Sequence, residues 1–142
     1  MRLLIKVLLM TLLISSFTIT IQAQEALYNK LNSQLATHYK NGRYSKAIEV
    51  AKQALEVAEK TYGENHPYVS ASLNNLALLY TTKSNYKEAE LLYERSLKIV
   101  EDIRGKHDPN LIPILKGLIK CCKKLGMAEK AAEYEKRLDD IR

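Results

Sequence analysis

Leu73-Asn-Asn-Leu-Ala-Leu-Leu-Tyr80, with Tyr86-Lys-Glu-Ala89 and Tyr93 to Leu97 behind it, decides how this chain folds. Val69, Leu73, Leu76, Ala77 and Tyr80 fall at i, i+4, i+7, i+8 and i+11, one face of a helix. Ala89, Leu92, Tyr93, Ser96, Leu97 and Val100 repeat that spacing on a second helix. The skeleton recurs every 42 residues: Leu31, Leu73 and Leu115 align, as do Ala47, Ala89 and Ala131. Tyr44 pairs with Tyr86, Leu55 with Leu97, Gly63 with Gly105, and Pro67 with Pro109. A fixed period of this length means helix pairs stacked side by side, each burying its apolar face on a neighbour.

The punctuation fits. Pro67 suits a first helical turn, where its missing donor would have no partner. Gly105 closes the second helix and Pro109 restarts the chain. Reading outward predicts helices over 25–40, 44–62, 111–125 and 127–141 around the central pair, with turns at Asn41-Gly42 and Gly126. No stretch alternates as a strand does, so the chain reads as all-α. Ala36, Ala77, Ala47, Ala89 and Ala131 mark where helix axes approach closely, with Tyr39 and Tyr80 filling space beyond them. Glu129, Lys130, Glu133, Lys136, Arg137 and Asp140 give the last helix a polar outer face.

Residues 1–23 read differently. Arg2 and Lys6 precede an apolar stretch over 7–21, and Ile21-Gln22-Ala23 ends on a small residue, the layout of a secretory signal peptide. Cleavage after Ala23 makes Gln24 the first residue. The competing reading is an uncleaved anchor, for which about 15 apolar positions fall short of the roughly 20 that a spanning helix needs. Losing Arg2 and Lys6 lowers the net charge from +6 to +4. For an exported, mildly basic chain of periplasmic or secreted location, nucleic acid is a poor partner and an acidic protein segment a better one. A membrane enters only if the leader stays as an anchor.

Cys121 and Cys122 point about 100° apart on a helix, which strains a bond between them. The expectation is a buried Cys122 and a Cys121 nearer the surface, open to an intermolecular disulfide. Neither a haem nor a zinc spacing is present, so no cofactor or metal is expected. His38, His66 and His107 lie far apart, the last two in connections beside Asn65 and Asp108, where capping is the simple role. Glu88 and Glu90 read as exposed carboxylates among lysines. No hydrolase or phosphate-loop motif occurs, and the chain is not read as an enzyme.

Asn75-Leu76-Ala77-x-x-Tyr80…Ser84-x-Tyr86-x-x-Ala89-x-x-x-Tyr93-x-x-Ser96-Leu97 resembles a tetratricopeptide repeat (TPR). The 42-residue stride, with Tyr62-Gly63-Glu64-Asn65-His66-Pro67 between units, resembles the kinesin-light-chain subclass. The resemblance implies a right-handed α-solenoid of three helix-turn-helix units over about 25–66, 67–108 and 109–142. The first unit shows one residue fewer between Tyr39 and Tyr44 than the second shows between Tyr80 and Tyr86. Cys122, Ala128 and Glu135 replace larger residues in the third, which implies a loose or capping unit.

In that family the first helix of each pair lines a concave groove. Carried over by position, the groove residues are Asn74, Asn75, Leu78 and Thr82 in the middle unit. Ser33, Gln34, Thr37 and Lys40 follow in the first, and Lys116, Lys120, Lys123 and Lys124 in the third. An amide such as Asn75 can both donate to and accept from a peptide backbone. Lys116, Lys120 and Lys124 stack at i, i+4 and i+8, a basic edge toward an acidic segment or a terminal carboxylate; a solvated helix face is the equal alternative. The implied function is an exported protein-interaction module that grips a protein or peptide segment. The alternative is a structural subunit of an envelope assembly, docking by its convex side or its ends.

Overall fold

The computed structural model describes residues 1–141 and contains, among them, six α-helices and no strand. These are α1 (Arg2–Lys40), α2 (Tyr44–Tyr62), α3 (Pro67–Thr82), α4 (Tyr86–Arg104), α5 (Leu111–Lys124) and α6 (Ala128–Asp139). Each helix packs on the next in chain order, and α3 also touches α5. The result is three helix pairs in a row.

The stride is visible atom by atom in the turns. Arg43 N donates to His38 O, Asn85 N to Tyr80 O and Met127 N to Cys122 O, each at 2.9 Å and each 42 residues from the last. The turn residue is left-handed in all three: Gly42 (φ 68°), Ser84 (φ 63°) and Gly126 (φ 75°). The first unit therefore lacks no residue. Its apparent deletion came from matching Tyr39 to Tyr80, whereas the counterpart of Tyr80 is His38. Tyr39 stays 39% exposed, edge-on to Tyr44 at 5.6 Å, and does not fill the interior as Tyr80 partly does.

The alanine contacts form with one correction. Ala47, Ala89, Ala77 and Ala131 are buried at 3% exposure or less. Ala36 is exposed, because the register puts Leu35, not Ala36, opposite Ala77. Around these contacts Val69, Leu73, Leu111, Leu115 and Leu118 are fully buried. The third unit is not loose: Tyr93, Leu97, Leu115, Leu118, Cys122, Tyr134 and Leu138 share one cluster.

Cys121 is as buried as Cys122, both at 0% exposure, so the surface thiol expected from the sequence does not exist. α5 is covered by α3 as well as by α4 and α6, which hides a wider arc than one amphipathic stripe. The Thr81 hydroxyl lies 3.7 Å from Cys121 Sγ, and Cys122 Sγ donates to Glu90 Oε1 at 3.8 Å. Burial first, and then the Glu90 carboxylate, push the Cys122 thiol up to about 11.

Glu90 is also not exposed. It is 7% accessible and held by Lys130 Nζ at 2.5 Å, which reaches Glu94 at the same distance. Tyr134 donates to Glu94 at 3.1 Å. Lys130 and Arg137 thus turn inward from the supposed polar face of α6, leaving Glu129, Glu133, Lys136 and Asp140 outside. Arg137 pairs with Glu101 as Arg95 pairs with Glu59, one bridge copied at the 42-residue stride.

α1 departs most from expectation. It begins at Arg2, not near residue 25, since neither glycine nor proline occurs before Gly42 to break it. Its apolar stretch starts at Leu3, so it is long enough, by length and composition, to cross a membrane; a signal sequence passes the same test. His66 Nδ1 accepts from Tyr68 N at 3.2 Å and so caps α3, whereas Asp108 Oδ1 accepts from Asn110 N at 2.8 Å within the connection and α5 has no side-chain cap. His107 is exposed.

Two outcomes follow. Ser84→Gly relieves a left-handed Cβ and should stabilise the chain by about 0.5–1 kcal/mol after glycine's entropic cost, read as a higher urea midpoint at unchanged slope. An aromatic disulfide reagent at about pH 8 should meet no reactive thiol in the folded protein and titrate both cysteines once guanidinium unfolds it. A fast-reacting thiol in the native state would contradict this burial.

Candidate functional site

The first helices of the three pairs, α1, α3 and α5, present one shared face. The 42-residue register lays it out in rows. Asn32, Asn74 and Lys116 are equivalent; so are Ser33, Asn75 and Gly117; Ala36, Leu78 and Lys120; and Lys40, Thr82 and Lys124. Within each helix these positions recur at i, i+1, i+4 and i+8, so they form one edge.

Asn74 and Asn75 are half-buried, Leu78 is 44% exposed, and Thr82 is exposed with its hydroxyl donated to Leu78 O at 2.9 Å. Lys116, Lys120 and Lys124 are all exposed. The register sets these seven residues, with Ser33 and Lys40, at matching positions on α1, α3 and α5. Three of the sequence candidates do not join them. Gln34 and Thr37 are equivalent to Leu76 and Leu79, which pack on α2; both are exposed on α1. Lys123 is the counterpart of Thr81 and pairs with Glu135 of α6 at 2.6 Å. The displaced register explains the first two, and the i+3 offset from Lys120 the third.

The sequence reading also missed a cavity beside the row. About 240 Å³ opens between α3, the end of α4 and the start of α5, bordered by Ala71, Asn74, Ile103, Arg104, Asn110 and Pro113. One stride earlier the equivalent space is closed by aromatic rings. Tyr28 stacks on Tyr68 at 5.0 Å, and Tyr62 meets Tyr68 edge-on at 5.0 Å. Forty-two residues on, those three tyrosines become Ser70, Arg104 and Asn110. Ser70 and Ser96 hydroxyls satisfy each other at 2.8 Å, so the floor of the vacated space is quiet. Comparing the columns 28/70, 62/104 and 68/110 would have exposed this difference in the sequence.

Gly117 sits where Asn75 and Ser33 stand in the other units. A Cβ built there would overlap the ring of the buried Tyr93. The face is therefore pinched flat in its third row, between Lys116 and Lys120. The chemistry on offer is recognition: amides, cations, one exposed leucine and an apolar recess. Among the described residues no cluster of metal-ligating side chains occurs.

The comparisons with known proteins agree with this geometry. The family profile described as tetratricopeptide repeat matches residues 27–102, more than half of the chain. The chain belongs to the tetratricopeptide-repeat family. Among solved structures, this TPR chain is similar to BtubC (BKLC) from P. vanneervenii, with a TM-score of 0.78 at 20% identity over 84% of this chain and 47% of that one. A putative kinesin light chain of Podosopora anserina gives 0.71 at 22%, over 80% and 54%. The TPR domain of Arabidopsis FLU gives 0.72 at 19%, over 81% and 93%. At such identities the likeness is one of fold, a TPR solenoid. Curated relatives include clustered mitochondria protein homologs of Aspergillus niger and Coccidioides immitis, 25% and 27% identical over 103 residues. The match spans 72% of this chain and 8% of theirs.

The pinch at Gly117 yields a measurable outcome. Gly117→Ala should lower stability by about 1–2 kcal/mol despite alanine's better helix propensity, because the enclosed Tyr93 ring must move. A higher melting temperature for this variant would show that the ring gives way freely.

Proposed function

TPR arrays generally mediate protein–protein interaction. We propose that this one is exported and holds an extended protein segment along the shared face of α1, α3 and α5. The segment is acidic, or ends in a carboxylate laid against Lys116, Lys120 and Lys124. Asn74 and Asn75 meet its backbone, and one apolar side chain enters the recess beside Arg104.

One observation carries the reading: where the cations are committed. Arg95, Lys130 and Arg137 pair with carboxylates between the outer helices. Lys40, Lys116, Lys120 and Lys124 take part in none of the ion pairs found among the described residues. Glu135 and Asp139 border a shallow hollow with Lys116, so Lys120 and Lys124 carry most of the exposed field. Export rests on Arg2, Lys6 and the exposed apolar run after them.

Docking as a structural subunit, by the convex face or the ends of the array, is the second reading, and one observation at the first unit favours an end. Leu27 is 41% exposed at the position where Val69 and Leu111 are fully buried in the later units.

Replacing Lys116, Lys120 and Lys124 together with serine tests the first reading by fluorescence anisotropy against labelled acidic and neutral peptides. Three partly exposed charges at about 0.2–1 kcal/mol each should weaken the acidic peptide roughly tenfold and flatten its salt dependence. Equal binding by wild type and variant, at every salt concentration, would remove the basic face from the account.

A further inference from the structure

We propose that Gln24 is a modification site: once residues 1–23 are removed, its side chain closes on the new α-amino group to form a pyroglutamyl ring. The inference rests on the export reading above and extends it to the chemistry of the mature first residue.

α1 runs unbroken through Ala23, so a cut there leaves Gln24 at the very start of a helix that continues to Lys40. The first N–H groups of that helix lose the carbonyls of the leader that they had bonded. The new α-ammonium would sit on the positive end of the helix dipole, where a cation is disfavoured. The tertiary setting adds to this. Gln24 faces Glu56, Lys60 and Thr61 of α2 across a hollow whose leader wall, Phe17, Thr20 and Ile21, departs with the cut. Glu56 is already paired with Lys60 at 2.6 Å, so the ammonium would find a second cation there and no idle carboxylate. Glu25 follows in sequence, and its carboxylate suits a first helical turn whether or not the ammonium remains.

Cyclisation removes the misplaced charge without any outside reagent. The deprotonated α-nitrogen attacks the side-chain amide carbon Cδ, and an Nα–Cδ bond forms. The Cδ–Nε2 bond breaks, and Nε2 leaves as ammonia carrying one proton from the α-nitrogen. The lactam keeps one N–H and gains a neutral terminus, as other terminal blocks do. A chain so closed offers no free amine to aminopeptidases outside the cytoplasm.

Intact-mass spectrometry decides the matter on chain freshly recovered from the exported fraction of cells expressing residues 1–142, beside a Gln24→Ser variant. The expected wild-type mass is that of residues 24–142 less about 17 Da, the ammonia lost in blocking the terminus. The serine variant should show its full mass and be trimmed by an added aminopeptidase that leaves wild type intact. A wild-type chain of residues 24–142 with its amine free would overturn the ring and leave export standing. Recovery of the uncut chain, or a cut elsewhere, would overturn both the ring and the cleavage it requires.

Discussion

The whole array depends on one contact made three times: the methyl group of Ala47, Ala89 and Ala131, buried where the second helix of each pair crosses the first. A larger side chain there would hold the axes apart and leave voids around Leu79 and Leu115, now buried at 1% and 0% exposure. The contact is repeatable because the turn before it is repeated to the atom. The bond from residue 43, 85 or 127 back to 38, 80 or 122 fixes where each second helix starts. The alanine always comes four residues after that donor. Turn, crossing and core are therefore one device copied at a fixed stride.

Much of this was legible in the sequence because a helix writes its buried face in its own periodicity. Val69, Leu73, Leu76 and Ala77 announced α3 without help from any neighbour, and all four are buried. What stayed hidden depends on more than one helix. Cys121 looked accessible because it lies off the Cys122 stripe, yet contact with α3 closes over that side. Glu90 looked like a surface carboxylate, since nothing nearby in the chain reveals Lys130 forty residues on. Matching Tyr39 to Tyr80 went wrong for a related reason. Identical residues tempted the alignment away from the backbone, which keeps a constant count and puts His38 in that place.

The candidate site was legible to the extent that the register was right. Asn74, Leu78 and Thr82 share one edge of α3, and the lysines at 116, 120 and 124 stand at the same positions 42 residues on. Gln34 and Thr37 fell away with the misaligned column. The recess beside Arg104 was invisible to a search for motifs because it is an absence: three tyrosines replaced, one stride on, by smaller or polar residues. Such a gap shows only when units are compared position by position.

The distribution of charge separates two kinds of cation. Between the outer helices, acids and bases meet in fixed pairs, Glu59 with Arg95 and Glu101 with Arg137, and Lys130 is held protonated well above the usual lysine range by Glu90 and Glu94. A cation in such a pair has exchanged its water for a carboxylate and gains little from a new anion. The lysines on the shared face have made no such exchange. An incoming carboxylate there replaces water around a single charge, and the cost is offset by the attraction it gains. Folding thus commits Arg95, Lys130 and Arg137 to holding the helices together, while Lys116, Lys120 and Lys124, like Lys46, Lys52 and Lys87 elsewhere on the surface, stay in water.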